Sequence, residues 1–135
     1  MHATVSVIIP TFNRRHCLPR ALDSVLVQTI TPLEILVVDD GSDDGTEQLV
    51  RSEYPQLRYI RQANRGVSAA RNCGIAKARG TWLAFLDSDD EWLSDKLAQQ
   101  LTMVAARPEY PLVHSDEIWI RRGVRVNPMR KHGKA

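Results

Sequence analysis

Asp87-Ser88-Asp89-Asp90 follows directly on the apolar run Trp82-Leu83-Ala84-Phe85-Leu86. A short buried strand that ends in carboxylates places several acids at one sheet edge, where ionised neighbours repel and raise each other's pKa. A cation among them relieves the repulsion. Hard divalent ions such as Mg²⁺ or Mn²⁺ take carboxylate oxygens and share their coordination with substrate phosphates. One such cluster alone reads equally as a solvated acidic turn that caps the next helix. A second cluster, Asp39-Asp40-Gly41-Ser42-Asp43-Asp44-Gly45, follows another apolar run, Leu33–Val38, and the windows 39–45 and 87–91 hold 8 of the 16 acids. In open α/β sheets, ligands bind outside the carboxyl ends of the strands. Two carboxylate clusters at such ends describe a site for a ligand that carries phosphate and a metal.

The elements that must position these acids alternate strand and helix. Val5–Ile9 is a continuous apolar strand stopped by Pro10, and a helix is expected over about 17–29 with Leu18, Ala21, Leu22, Val25 and Leu26 on its apolar face. Leu33–Val38 is the second strand. Asp44-Gly45-Thr46-Glu47 resembles a capping box opening a short helix to about Glu53. Leu57–Arg61 is a third, weaker strand. Gly66–Ala78 reads as a helix with Val67, Ala70 and Ile75 inward, ended by Gly80. Trp82–Leu86 is the fourth strand. Ser94 is expected to cap a helix that buries Leu97, Leu101 and Val104 and stops before Pro108. Leu112–His114 begins a fifth strand, and Ile118–Ile120 with Val124–Val126 suggests a hairpin across Arg121-Arg122-Gly123. Strands alternating with helices imply an α/β fold whose mostly parallel sheet has helices on both faces. Right-handed crossovers then bring both acid clusters to one edge.

With 135 residues, 43% of them hydrophobic, the chain is long enough for one globular domain with a substantial core. No run approaches the ~18 apolar residues of a membrane span. The start MHATVSVIIP carries no signal-peptide pattern, so a cytoplasmic location is the default expectation. Cys17 and Cys73 have neither metal-ligand nor disulfide-framework spacing and read as buried small apolar residues in helices. His114, in an apolar run, reads as structural. Charge is unevenly placed: residues 1–120 carry a net −4, and residues 121–135 carry six Lys or Arg and no acid. This basic end can touch anionic lipid, giving peripheral membrane contact, or a phosphate-bearing acceptor, and a solvated tail is the alternative. It lacks the interleaved aromatics that stack on bases, which argues against nucleic acid.

Between the acid clusters lies Asn64-Arg65-Gly66-Val67-Ser68-Ala69-Ala70-Arg71-Asn72, a loop feeding a helix N-terminus, which is a natural anion site. Arg71 either pairs with an acid or reaches a ligand. Four ordered segments, Val5–Arg14, Val37–Ser42, Asn64-Arg65-Gly66 with Ala70-Arg71-Asn72, and Asp87–Asp90, together resemble the family 2 glycosyltransferases of the GT-A (Rossmann-like) fold. The resemblance runs from Val5 to about Asp116 and divides the chain into a nucleotide-sugar-binding part, 1–120, and a basic C-terminal hairpin or tail, 121–135.

The resemblance implies a metal-dependent, inverting enzyme that moves a sugar from a nucleoside diphosphate sugar, a UDP-sugar by preference, to an acceptor that is a glycan, a lipid or a protein. It implies that Pro10, Thr11 and Asn13 frame the nucleotide. Asp40, with Asp39 beside it, accepts a hydrogen bond from the base, and Arg71 lies near the base or phosphates. Asp87 faces the ribose or the metal, and Asp89 ligates Mn²⁺ or Mg²⁺. The family's general base comes from the later half of its domain. After Glu109 the only acids are Asp116 and Glu117, weak candidates where the family runs a strand. The chain is therefore expected to be the donor-binding part of a longer enzyme. Two other classes compete: a non-catalytic nucleotide-binding module on the same half-domain, and a nucleotidyltransferase. The second wants a glycine-rich loop after its first strand, and Pro10-Thr11-Phe12-Asn13-Arg14 has no glycine. A dehydrogenase is disfavoured because no GxGxxG follows that strand.

Overall fold

Strand β1 (Val5–Thr11) is buried along its whole length, because it runs through the middle of a sheet covered on both faces. The computed structural model describes residues 4–106, 112–113 and 119–121, with side-chain burial described through Thr102. After β1 come α1 (Leu18–Leu26), β2 (Glu34–Asp39), α2 (Thr46–Glu53), β3 (Arg58–Arg61), α3 (Val67–Lys77), β4 (Trp82–Phe85), α4 (Lys96–Ala106), β5 (Leu112–Val113) and β6 (Trp119–Arg121). His114, Asp116, Glu117 and the basic run after Arg121 lie outside the described residues, as do Val124–Val126 of the expected hairpin.

The sheet order is β3-β2-β1-β4-β6-β5. The first four strands are mutually parallel, with Val7 opposite both Ile35 and Ala84. Strand β6 runs antiparallel to β4 and to β5, so Trp119–Arg121 extends the sheet. The chain lays β2 and then β3 on one side of β1 and crosses to the other side for β4. This reversal makes the carboxyl ends of β1 and β4 the switch point where a crevice opens.

Alternation along β1 divides the core. Val5, Val7 and Ile9 join Leu18, Leu22 and Val25 of α1, Val50 of α2 and Leu97 of α4. Ile8 faces the other way, with Val38, Leu83 and Phe85, onto Ala70 of α3. Fully buried strands need no polar alternation, which is why they read as unbroken apolar runs.

Several expectations change at helix ends. Leu26 is 41% exposed and Val67 52% exposed; each occupies the terminal turn of its helix. Ser24 takes a buried place on α1 instead: its Oγ donates to the Ala21 carbonyl and accepts from Trp92 N. The expected capping box does not form at α2, whose cap residue is Gly45. Asp44 Oδ1 accepts from Thr46 N and Oγ1, while Glu47 pairs with Arg51. Helix α4 begins at Lys96, and the Asp95 carbonyl takes the first helical bond, from Gln99 N. Asp95 thus holds the cap position expected for Ser94. Leu97 is buried and Leu101 partly so, as expected, and the Val104 side chain lies outside the described set. Both cysteines are only partly buried and carry free thiols.

At the amino ends of the strands, the Glu34 carboxylate accepts from Ser6 Oγ, Arg58 Nη1 and Arg79 N at 2.6–2.7 Å. One buried acid there ties β1, β2, β3 and the turn before β4. Helix α3 approaches β1 so closely that a Cβ on Gly74 would lie 2.5 Å from Ile8 Cγ2.

Alanine in an exposed helix interior gains ~1 kcal/mol over glycine, whereas overpacking a core costs ~1–3 kcal/mol. The clash is with a branched side chain in mid-strand, so the second effect wins. Gly74→Ala is expected to lower the urea midpoint by the equivalent of ~1–2 kcal/mol at unchanged slope. A midpoint at or above that of the wild type would show that α3 shifts away at no cost.

Candidate functional site

The site is assembled from four loops at the carboxyl edge of the sheet. The loops after β1 and β2 are fastened together: Asp40 N donates to the Thr11 carbonyl, Asn13 N to Ser42 Oγ, Asp43 N to Asn13 Oδ1, and Arg15 N to Asp44 Oδ2, all at 2.8–3.0 Å. Asn13 adopts φ 51°, a left-handed conformation that asparagine tolerates better than most residues. Burial pushes the Asp44 carboxyl up, but its bonds from Thr46 and Arg15 outweigh this and hold it below the usual range.

Asp40 joins this pair of loops to α3. Its Oδ1 accepts from Gln62 Nε2 and Arg65 N, each at 2.8 Å. Its Oδ2 accepts from Gly66 N at 2.8 Å and Asn64 Nδ2 at 3.1 Å. Burial raises its pKa, and the bonds from Gln62, Arg65 N and Gly66 N outweigh burial, so the carboxyl sits below the ordinary range. A carboxylate offers about four acceptor positions, and all four are used. A ligand bond to Asp40 therefore displaces one of these donors.

Asp39 is fully buried and takes three donors. Ser42 N binds its Oδ1 at 2.9 Å, and its Oδ2 takes Tyr59 Oη and, at 3.5 Å, Arg61 Nη1. Burial and then the bond to Asp39 raise the Tyr59 pKa, which keeps the phenol a donor. Arg61 stands directly opposite Asp39 in the β2–β3 register.

The DxD loop after β4 is held against α1. Gln28 Nε2 donates to the Leu93 carbonyl at 2.6 Å and Gln28 Oε1 accepts from Leu97 N. Arg20 donates to the Asp89 carbonyl and pairs with Glu91. Asp90 N closes a turn onto the Asp87 carbonyl. Two guanidinium groups meet the acids of this loop: Arg71 Nη2 lies 3.1 Å from Asp87 Oδ1, and Arg14 Nη1 lies 3.1 Å from Asp89 Oδ2. Arg71 thus takes the ion-pair alternative in this structure. The two carboxylates face separate cations, which relieves the repulsion expected from their spacing.

These groups surround a cavity of about 560 Å³, within the range of small-ligand sites. Of the residues expected from the sequence, Pro10, Thr11, Asp40, Arg71, Asp87 and Asp89 line it, together with Phe12, Arg14, Asn64 and Gly66. Among the described residues, Thr11 Oγ1 and Arg71 Nε are buried without a hydrogen-bond partner, so polar capacity remains in its walls. Asn13 and Asp39 are absent from the lining, because both are consumed in fastening loops. Asp116 and Glu117 are outside the described residues. The spacing of acids pointed to this place but not to Arg14, Gln62 or Tyr59. The one available cue for Arg14 was a cation directly after the first strand.

Among the described residues, no three of His, Cys, Asp and Glu gather into a metal cage. Mg²⁺ and similar ions are held by one or two carboxylates completed by substrate phosphates and water. Asp87 and Asp89, on one cavity wall, fit a cation of that kind. They do not fit one bound by protein ligands alone.

This fold is an α/β domain of the GT-A type, and the chain belongs to Glycosyl transferase family 2, whose sequence profile it matches over residues 6–121. It is 46% identical over 104 residues to an uncharacterized glycosyltransferase of Rickettsia felis, a match covering 75% of this chain and 17% of that protein. The S. aureus protein TarS 1-349, solved in complex with UDP-GlcNAc, superposes with a TM-score of 0.68 at 28% identity over 78% of this chain and 32% of its own. The mannosyltransferase PcManGT of Pyrobaculum calidifontis, solved with GDP-Man and Mn²⁺, gives 0.74 at 25% identity over 98% of this chain and 47% of its own. The chain spans less than half of each of these proteins.

Asp40→Asn turns an acceptor of four donors into a group that presents N–H to some of them. An unsatisfied buried polar group costs ~1–3 kcal/mol, so a loss of about 2–3 kcal/mol is expected at pH 7. The folded pKa lies below the unfolded one, so the carboxylate's contribution is complete above the ordinary carboxyl range, about 4. It is lost as pH falls through the folded value. Thermal midpoints of wild type and variant should therefore converge on acidification, and a constant gap down to about pH 3 would contradict this role of ionised Asp40.

Proposed function

We propose that this chain is the donor-binding part of a glycosyltransferase that uses a nucleoside diphosphate sugar and a divalent cation. The observation that carries the reading is the convergence of Asp87, Asp89, Arg71 and Arg14 on one cavity at the switch point. Acids that can share a cation with a diphosphate stand beside guanidinium groups that match phosphate oxygens. Membership of the family, and neighbours solved with UDP-GlcNAc and with GDP-Man plus Mn²⁺, support the same reading. A uridine nucleotide is the preferred donor, and guanosine is the alternative the neighbours offer.

Within this proposal, Asp87 and Asp89 hold the cation on the diphosphate. The bound ion supplies Lewis-acid stabilisation of the leaving diphosphate. Arg71 and Arg14 add positive charge beside the phosphates, and the Thr11 hydroxyl, without a partner among the described residues, is available to the nucleoside. The base lies toward Asp40, Asn64 and Gly66, where the loop entering α3 turns through φ 103° at Gly66, a conformation glycine adopts readily. The chain's share of catalysis is positioning and electrostatic preorganisation. The acceptor, a glycan, lipid or protein, meets the donor at the open mouth of the cavity.

Calorimetric titration with UDP, GDP and dTDP, with and without Mn²⁺, tests the reading. One nucleotide should bind in Mn²⁺ and bind far more weakly without it. Asp89→Ala should lose the Mn²⁺-dependent part while unfolding like the wild type; equal affinities in Mn²⁺ would remove Asp89 from the site. At a hundredfold excess over its dissociation constant, a ligand of the folded state adds ~2.7 kcal/mol. A thermal midpoint unmoved by Mn²⁺ and nucleotide would sink the proposal.

A further inference from the structure

Arg14 and Asp89 form the weakest joint of the cavity. The Arg14 guanidinium makes a single hydrogen bond, Nη1 to Asp89 Oδ2 at 3.1 Å, and no other side-chain bond among the described residues. Its side chain is 47% exposed and that of Asp89 52%. Ion pairs this exposed contribute little. Both backbones are nevertheless fixed independently of the pair. The Arg14 carbonyl accepts from Cys17 N and Leu18 N at the start of α1, and the Asp89 carbonyl is held by Arg20 Nη2 at 3.2 Å. The pair at Asp87 is built differently: Arg71 is less exposed, and its Nε is buried. One acid of the DxD is thus held by an arginine embedded in α3, the other by an arginine on a flexible stem between two anchored loops.

We infer that Arg14 is an exchangeable counter-ion of this site: its guanidinium neutralises Asp89 while no divalent cation is bound, yields Asp89 to the cation, and turns to the diphosphate of the incoming ligand. The inference rests on the proposed nucleoside diphosphate site and adds a residue and an order to it. Charge is conserved across the exchange. The carboxylate trades a guanidinium for a metal ion, and the guanidinium trades a carboxylate for phosphate oxygens, which its planar fork matches bidentately. No backbone movement is required, since Arg14 already lines the same cavity as Asp87 and Asp89. The consequence is that the cation alone competes with Arg14 and binds weakly, whereas cation and diphosphate together supply both groups with a new partner.

The test is calorimetry on the full chain with MnCl₂ alone, and then with UDP and GDP in saturating Mn²⁺, comparing wild type, Arg14→Ala and Arg14→Gln. Losing the competing pair should tighten binding of Mn²⁺ alone about fivefold in both variants. Losing a charge-assisted phosphate contact should weaken nucleotide binding about tenfold or more. Manganese affinity equal to that of the wild type, or no manganese binding by any of the three, overturns the counter-ion role. Unchanged nucleotide affinity overturns the hand-over. A wild type that binds Mn²⁺ but neither nucleotide overturns the nucleotide reading and the hand-over together, and the titrations with Mn²⁺ alone still decide the counter-ion role. The Arg14 side chain is half in solvent, so both variants should keep the wild-type thermal midpoint without ligand.

Discussion

Four donors converge on the Asp40 carboxylate, and the geometry of the cavity depends on that convergence. Gln62 comes from the end of β3, Asn64, Arg65 and Gly66 from the entry to α3, and Asp40 itself from the end of β2. Its backbone N–H reaches across to Thr11 at the end of β1. One ionised group thus sets the distance between three strand ends and the start of the helix that carries Arg71. In a buried setting, charge-assisted bonds of this kind are stronger than neutral ones, and the desolvation cost of the carboxylate is offset only because every acceptor position is filled. The amino ends of the strands repeat the device with Glu34, which gathers Ser6, Arg58 and Arg79. The sheet is therefore clamped by a multiply bonded acid at each end, with an apolar core between them.

The clamp explains why the acids at the carboxyl edge are not equivalent. Asp39 and Asp40 are buried and surrounded by groups belonging to the scaffold, backbone N–H donors among them, which have nowhere else to go. Asp87 and Asp89 are more than half exposed and meet guanidinium groups on longer stems. The first pair holds the loops in place, and the second pair faces the cavity those loops enclose. Each exposed acid of this pair faces an arginine, so its charge is offset without a metal. The same arginines stand where phosphate oxygens would need positive charge.

Much of this was legible in the residues. Strands β1, β2 and β4 are buried, so their runs read as apolar, whereas β3, at the sheet edge and only partly buried, read as weaker. Pro10, expected to stop the first strand, lies inside β1, which runs on to Thr11. The two acidic bursts marked the carboxyl edge, and the order of strands then placed them together. What could not be read was pairing across the sheet. That Asp39 would be consumed by Tyr59 and Arg61 depends on the register Asp39↔Arg61, and periodicity within β3 carries no trace of it. Helical periodicity failed at Leu26 and Val67 because a 3.6-residue repeat predicts which face is apolar but not whether the terminal turns of that face are covered. Ser24 and Gln28 were invisible as buried residues because their partners, Trp92, Leu93 and Leu97, arrive from a segment more than sixty residues away.

Those two buried polar side chains also bear on the chemistry. The loop that carries Asp87 and Asp89 has little regular structure of its own, and a loop that had to order itself around each ligand would lose binding free energy to conformational entropy. Gln28 binds both the Leu93 carbonyl and the Leu97 amide, Ser24 takes Trp92 N, and Arg20 takes the Asp89 carbonyl, so α1 and the residues just after it fix the loop's backbone before any ligand arrives. Arg14 opens the turn that leads into the same helix. The segment from Arg14 through α1 to Gln28 therefore carries both the clasp that immobilises the acidic loop and the cation that faces Asp89. Preorganised backbone with exchangeable side chains is the arrangement that lets a charged site stay folded when empty and still accept a highly charged ligand without rebuilding its walls.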